Sequence, residues 1–570
     1  MYSAVRISPL SFVFLSVVDR HNDLRYDSRM ITAVSSQTMS QIDSSAQRDY
    51  AIPGIVLMEQ AGLRAWRQVS RTIESKDVAV VFVAGGGNNG GDALVMARQA
   101  FNDGWMNCRC ILCGTHLSPS CITQRAICRN LGIETIDVAS GSDGDGPMAR
   151  AEQALASADL IVDGLSGTGL RGPLSGAAAT LVALINQCAD REIPVLSVDV
   201  PSGAGDDVPV TAPIVRACAT ISMGLPKLCC YHPVVRAYGG EITVVNPSFP
   251  ARLLGQAPAT VQLATFSDCS LTAMDSTRYK NTRGHVAVFG GSPGFTGAPR
   301  LAARGAFHAR CGLVTLFADD EIYPVLAAEN PSVIVRKLPM QTISGKTSIG
   351  LSVADLQDFQ AILAGPGWGA ERTDLLRVLL DSRLPLVLDA DGIKAYAALV
   401  QQDPLVLKGH GPLIFTPHPG ELRILVQAVL GQAAAQTIGR ADTPALFLAL
   451  LQELSKRTES IVLAKGHVNW IVDSTTSPSP RAVVVDSMTC ELGVAGSGDV
   501  LAGICAALLS QKPVAPLGCA VDGALLHLRA GTLAKEKQGW FSSEELVEYV
   551  GLAVNSCAHS NRHDIGGTEQ

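Results

Sequence analysis

Short apolar runs alternate along this chain with longer stretches whose apolar positions recur every three or four residues. In the first half the runs fall at residues 78–84, 108–113, 159–162, 195–200, 219–223 and 242–245. Most have the length and composition of strands buried on both faces of a parallel sheet. The stretches between them read as helices. Beyond Gly54, for example, Ile55, Met58, Gly62, Trp66, Val69 and Ile73 share one helical face. A second series begins near Tyr279, with runs at 286–290, 313–317, 361–364, 386–388, 413–415, 461–464 and 482–485, and final helices starting at Asp499. Such alternation predicts an α/β protein of two domains, the first a Rossmann-like doubly wound parallel sheet. The expected division is an N-terminal extension (1–29), a first domain (30–250), a linker poor in charge and periodicity (251–276), a second domain (277–560) and a frayed tail (561–570).

Composition sharpens this picture in three places. A chain of 570 residues exceeds what one core holds, and 47% hydrophobic with 17% charged residues describes a globular protein. The net charge of −7 argues against nucleic acid or an anionic membrane as partner, so an anionic ligand must be held by local backbone amides. No apolar run approaches the roughly 18 residues of a membrane helix. The run "SPLSFVFLSVV" near the start follows Arg6, but Asp19, Asp23 and Arg25 come after it without a small-residue cleavage site. It reads as an extension rather than a signal peptide, with Met30 as an alternative start. The densest cysteine group is Cys108, Cys110, Cys113, Cys121 and Cys128, near His116. Strand alternation places Cys108 and Cys110 on one face and Cys113 on the other, which suits buried, reduced thiols of a cytoplasmic protein better than a zinc site.

Candidate chemistry gathers at the ends of strands. "VAGGGNNGGDALVM" satisfies the dinucleotide fingerprint at Gly85, Gly87 and Gly90, a glycine-rich turn opening a helix whose amides face a ligand. A cofactor-binding loop of that kind has an acidic residue at the end of the second strand, whereas "ILCGTH" has none. Further strand ends carry Asp163 before a second glycine loop, Asp199 and Ser202 in "LSVDVPSGAG", and Lys227 in "MGLPK". An aspartate at one such position can simply cap a helix. Several oxygen-bearing loops at one sheet edge are better explained by a site.

Together these residues, with the lead-in "YAIPGIVLMEQAG", resemble the NAD(P)H-hydrate epimerases over residues 40–250. The resemblance implies that the dinucleotide is substrate rather than cofactor. Asn88, Asn89, Gly90, Gly91 and Asp92, with Gly167, Thr168, Gly169, Leu170, Arg171, Gly172 and Pro173, would bind it. Asn89, Asp163 and Ser202 would hold a potassium ion, whose preference is for hard oxygen ligands. Asp199 would be the catalytic acid/base and also touch the substrate. Ser166, where a larger apolar residue is common, and the extra glycine of "GGG", where proline is usual, depart from the family pattern.

In the second half, "VAGSGDVLAGICAAL" lets Gly496 and Gly498 wrap backbone around an anion at a helix N-terminus, with Asp499 placed to accept a hydroxyl proton. The glycine loop after the first strand lacks a Walker lysine. With "LVLDADGIKAY" and "IFTPHPGEL", these motifs resemble the ribokinase-like family and, within it, the ADP/ATP-dependent NAD(P)H-hydrate dehydratases, over residues 277–552. By that resemblance Ala298, Gly367, His418 and Asp499 would contact the hydrated nucleotide, with Asp499 as catalytic base. Lys465, Gly466, His467, Val468, Asn469 and Gly498 would bind ADP with magnesium. Ser497 replaces the usual threonine, and "ENPSVIV" departs from the family pattern. NADH hydrate, NADPH hydrate and ADP are then the expected partners, and a homo-oligomer is expected. Two other readings remain: a small-molecule kinase fused to an unrelated domain, which would make a stable phosphorylated product, and a first domain that binds without catalysing.

Overall fold

The computed structural model describes residues 30–138, 146–328, 331–343, 346–369, 372–475 and 481–563. The extension 1–29 and the last seven residues lie outside these, as do Glu329 and Asn330 of the departing segment. The described residues fall into two compact units, one of residues 32–261 with 439–447, the other of 262–438 and 448 onward with 30–31. The stretch expected as linker is structured, with a helix at Ala251–Gly255 and a strand at Val261–Leu263.

In the first unit the strands are β1 (Val80–Ala84), β2 (Cys108–Leu112), β3 (Glu134–Asp137), β4 (Leu160–Gly164), β5 (Val195–Val198), β6 (Ala219–Met223) and β7 (Glu241–Val245). They pair in parallel in the order β3-β2-β1-β4-β5-β6-β7. The chain reverses direction of growth between β1 and β4, and ligands of open α/β sheets bind at such a switch point. Alternation explains the double-sided burial. Val80, Phe82 and Ala84 pack with Trp66, Leu94 and Met96 on one face, while Val81 and Val83 pack with Leu181 and Ile185 on the other. Each such buried side chain contributes about 1.5–3 kcal/mol. Cys108 and Cys110 lie on the first face and Cys113 on the second, as expected. The helices that matter for the site are α1 (Ser36–Asp49), α2 (Gly54–Ser70) and α3 (Asn88–Asn102).

The second unit repeats the theme. Its strands are β8 (Val261–Leu263), β9 (His285–Phe289), β10 (Leu313–Ala318), β11 (Ile334–Lys337), β12 (Ala361–Ala364), β13 (Leu386–Leu388), β14 (Leu413–Phe415), β15 (Ile461–Ala464), β16 (Val468–Asp473) and β17 (Arg481–Asp486). They run in the order β11-β10-β9-β12-β13-β14-β15-β16-β17-β8. From β11 to β15 every pair is parallel, and β16 is antiparallel to both neighbours. Helices α4 (Gly297–His308), α5 (Pro419–Leu430) and α6 (Ser497–Gln511) complete the site region. A Cβ on Gly503 would lie 2.0 Å from the Ala302 carbonyl oxygen, and one on Gly305 2.7 Å from that of Val500. Glycine at both positions therefore lets α4 and α6 touch backbone to backbone, which fixes the start of α6 over the sheet.

Seven described strands escape the hydrophobic pattern: β3, β8, β11, β16, Ile31–Ala33, Met340–Ile343 and Lys346–Ile349. β3 and β11 are edge strands exposed over much of their length; β3 carries no apolar run and β11 only the short Val333-Ile334-Val335. β16 falls in "VNWIVD", which the glycine-containing loop before it disguised.

Candidate active sites

The strand ends of the first unit converge as the motifs suggested. β1 and β4 run in register, Ala84 beside Gly164, so the loops that follow them meet. A Cβ on Gly85 would lie 2.0 Å from the Leu165 carbonyl oxygen and one on Gly90 2.1 Å from that of Gly85. Only glycine permits this crowding, and it seats the N-terminus of α3 at the sheet edge. A cleft of about 820 Å³ opens there. Asn88, Asn89, Gly90, Asp92, Gly167, Thr168, Gly169, Leu170 and Asp199 line it. Gly91, Arg171, Gly172 and Pro173 are not among the lining residues; Gly91 instead packs on Met58.

Behind the wall lies a buried polar cluster. Asp163 is fully buried, its carboxylate accepting from Ser197 Oγ (2.8 Å), Ser202 N (2.9 Å) and Leu165 N (3.2 Å). Burial raises its pKa despite those donors. The Ser166 carbonyl accepts from both Asn89 Nδ2 (2.8 Å) and Ser202 Oγ (3.2 Å), so Asn89, Asp163 and Ser202 meet in one place. Among the described residues Asn89 Oδ1 is buried without a hydrogen-bond partner. An orphaned buried oxygen of that kind is costly unless a donor or cation reaches it.

Asp199 follows β5 with a left-handed backbone, φ +68°, held by its amide donating to the Ile221 carbonyl at 2.7 Å. Such a conformation in a non-glycine residue is strained and aims the side chain out of the strand. Its Oδ1 accepts from Met223 N (3.1 Å) and from Nζ of the wholly buried Lys227. The same ammonium donates to Ser222 Oγ at 3.2 Å and to the Met223 carbonyl. Among the described residues Asp92 has no such partner. Burial, then the charges of Asp199 and Asp43, push its pKa well up, and Lys227 only partly offsets them.

One wall was not foreseen. Ser36, Ser40, Asp43 and Gln47 of α1 all line the cleft. Their spacing of four, three and four residues is a polar stripe that helical periodicity could have revealed. The position of Lys227 near a strand end is legible in the sequence, but its bond to Asp199 is not.

In the second unit the start of α6 meets the ends of β13, β14 and β15. Asp389 is buried and accepts from Lys465 Nζ (2.6 Å) and Thr416 Oγ1 (2.8 Å). A Cβ on Gly498 would lie 3.0 Å from that Nζ, which places the GSGD turn against the lysine. Burial works against the charge on Lys465, but Asp389, Glu421 and Asp499 outweigh it and hold the pKa above its usual value. Asp499 is pushed up to about 7, first by burial and then by Asp389, with Lys465 pulling the other way. A carboxyl group poised there can accept a proton near neutrality.

His418 caps α5. Its Nδ1 accepts from Gly420 N (3.0 Å), and its Nε2 lies 3.1 Å from Glu421 Oε1. The bond to Gly420 N leaves the ring proton on Nε2, directed at Glu421. Its side chain is 57% exposed, open to a ligand rather than buried. Gly367 and Ala298 adjoin each other, a Cβ on Gly367 falling 3.2 Å from that of Ala298. In the expected nucleotide segment, Asn469 Oδ1 accepts from Gly466 N at 3.2 Å, whereas Val468 points into the core as the first residue of β16. Asp389 and Glu421 stand in short sequence motifs, but the lysine they face is set only by the fold.

Comparison with known proteins covers both units. Residues 286–551 match the family model described as NAD(P)H-hydrate dehydratase, and residues 54–229 the one described as YjeF-related protein N-terminus. A bifunctional NAD(P)H-hydrate repair enzyme of Moorella thermoacetica is 32% identical, over 89% of this chain and 93% of that protein. One from Synechocystis is 30% identical, over 91% and 94%. Among solved structures, an ADP/ATP-dependent NAD(P)H-hydrate dehydratase of Bacillus subtilis co-crystallized with ATP/Mg2+ covers 51% of this chain and 96% of its own, at 18% identity and TM-score 0.39. The relatives span both halves under one name, which leaves the reading of a kinase fused to an unrelated domain without support.

Proposed function

The chain belongs to the bifunctional NAD(P)H-hydrate repair enzymes, which join an epimerase to an ADP/ATP-dependent dehydratase, and from that premise we propose a role for each site. The first unit interconverts the R and S hydrates of NADH or NADPH. The dinucleotide lies in the cleft with its pyrophosphate toward the amides at the start of α3, where the helix dipole favours negative charge. Asp199, aimed into the cleft and charge-balanced by Lys227, moves the proton of the ring hydroxyl. Asn89, Asp163 and Ser202 fit a potassium ion, because the unpartnered Asn89 Oδ1 meets hard oxygen donors there. That ion would supply fixed positive charge beside the substrate.

The second unit dehydrates the S hydrate at the expense of ADP, giving AMP and phosphate. A ring hydroxyl leaves poorly, and phosphorylating it makes elimination easy. Asp499 accepts the hydroxyl proton, the GSGD amides receive the transferred phosphoryl, and Lys465 balances the charge that develops. Three carboxylates, Asp389, Glu421 and Asp499, around one lysine suit the magnesium that accompanies a nucleotide. The segment from Lys465 to Asn469 binds the nucleotide, and His418, Ala298 and Gly367 face the hydrate. The working protein is cytoplasmic and a homo-oligomer in this reading.

The observation that carries the proposal is the meeting of Asp499, Lys465 and Asp389 at the start of α6. The test mixes the protein with an epimer mixture of NADH hydrate, magnesium and either ADP or ATP. Return of the dihydronicotinamide absorbance only with nucleotide is expected, faster with ADP. Full recovery of both epimers, rather than of the S fraction alone, reports the first unit. Recovery without nucleotide, or none at all, overturns the assignment.

A further inference from the structure

The cleft of the first unit holds a second carboxyl group in a setting opposite to that of Asp199. Asp92, the fifth residue of α3, lines the cleft and is only 9% exposed. Among the described residues its carboxylate has no hydrogen-bond partner, whereas Asp199 is held by Lys227 and Met223. The groups facing it are Asp199, Asp43 of α1, Lys227, and Cys121 of the helix Pro119–Asn130. Against it α2 presents Gly62, whose missing side chain leaves room for the Asp92 backbone. The cleft thus holds two carboxyl groups, one bonded to a lysine and one without that partner. Burial and the neighbouring carboxylates favour the neutral form of Asp92.

Epimerisation needs such a pair. The hydroxyl-bearing carbon of the hydrate is bonded to the ring nitrogen, so its configuration inverts if that bond opens and recloses. Opening requires a base for the hydroxyl proton and an acid for the nitrogen. We infer that Asp92 is a second catalytic residue, donating its proton to the ring nitrogen while Asp199 takes the hydroxyl proton. The inference rests on the role proposed for Asp199. The O–H electrons form the C=O bond, the C–N bond breaks, its electrons stay on nitrogen, and nitrogen takes the Asp92 proton. The products are an aldehyde and a neutral N–H. Rotation presents the other carbonyl face. Nitrogen then attacks carbon, its proton returns to Asp92, and Asp199 returns its own to oxygen, so nothing is consumed.

The test uses the full chain carrying Asp92→Asn, with Asp92→Glu and Asp199→Asn beside it, and purified R hydrate as substrate. An acid/base partner is worth about 100-fold or more in rate. We expect Asp92→Asn to lower the epimerisation kcat by that factor with KM changed less than threefold, and Asp92→Glu to restore most of it. Dehydration of purified S hydrate by the same samples stays normal, which shows the chain is folded. A rise in KM at unchanged kcat, or Glu behaving no better than Asn, makes Asp92 a binding residue and overturns the inference. If Asp199→Asn epimerises normally, the role of Asp199 fails instead, whatever Asp92→Asn does.

Discussion

The two units solve one problem on one plan and then diverge at a lysine. Both place a glycine turn after the central strand and aspartates at the carboxyl edge, and the first five strands of each parallel array share the order 3-2-1-4-5. In the first unit Lys227 is wholly buried and grips the proposed base, Asp199. In the second, Lys465 grips Asp389 instead and leaves the proposed base, Asp499, with its pKa lifted to about 7. The same pair of residue types therefore yields an ion-paired carboxylate in one site and a proton-sharing one in the other. What differs is which carboxylate the lysine reaches first. Environment, and not residue type, sets the chemistry.

The sharpest way to break the comparison is to remove each base in turn. Asp499→Asn should lower nucleotide-dependent dehydration by roughly 1,000-fold, in the range expected for loss of a general base. Epimerisation by the same protein should not change. A matching loss in both activities would mean that the sites are not independent. Next in size is Lys227→Met. It strands Asp199 in a nearly dry site, and breaking a buried pair costs about 3–5 kcal/mol. Denaturant unfolding should show the first transition weakened by that amount, with epimerisation lost. Lys465→Met should be milder for stability, because Thr416 still donates to Asp389.

A third test sharpens the contrast without mutation. If Asp499 must be ionised to accept a proton, the dehydration rate rises with pH through about 7 and then levels. Measured on purified S hydrate at saturating ADP, a rate already flat at pH 6 would contradict the role given to Asp499.

The central strands and the motifs at their ends are legible in the sequence, whereas the contrast between the two lysines is not, and both facts have physical reasons. Long apolar runs between glycine turns marked the central strands, since a strand buried on both faces leaves no polar alternation to confuse. The polar edge strands β3 and β11 left no such trace. Asn89, Asp163, Asp199 and Ser202 could be named because each sits in a short motif at a strand end. Asp43 could not, because it lines the cleft from a helix face outside any motif, and its surroundings depend on what packs opposite. Pairings across sequence, such as Lys465 with Asp389 or Lys227 with Asp199, exist only once the sheet has brought the strand ends together.

The smallest expected effect concerns stability. The pKa of Asp499 is near 3.8 in an unfolded chain and about 7 in the folded one, so folding favours its protonated form. The wild-type protein therefore loses stability as pH rises from roughly 4 to 7, when the folded site must give up a proton that the unfolded chain has already lost. Asn at this position carries no charge at any pH. Because the carboxyl group keeps some contact with solvent, the difference amounts to about 1–2 kcal/mol, or roughly 2–6 °C in the melting temperature of the second unit. Asp499→Asn should thus melt with the wild type near pH 4 and above it at pH 8, the gap opening across the window in which dehydration switches on. Equal melting curves at pH 8 would mean that Lys465 already balances Asp499, and the distinction drawn between the two lysines would disappear.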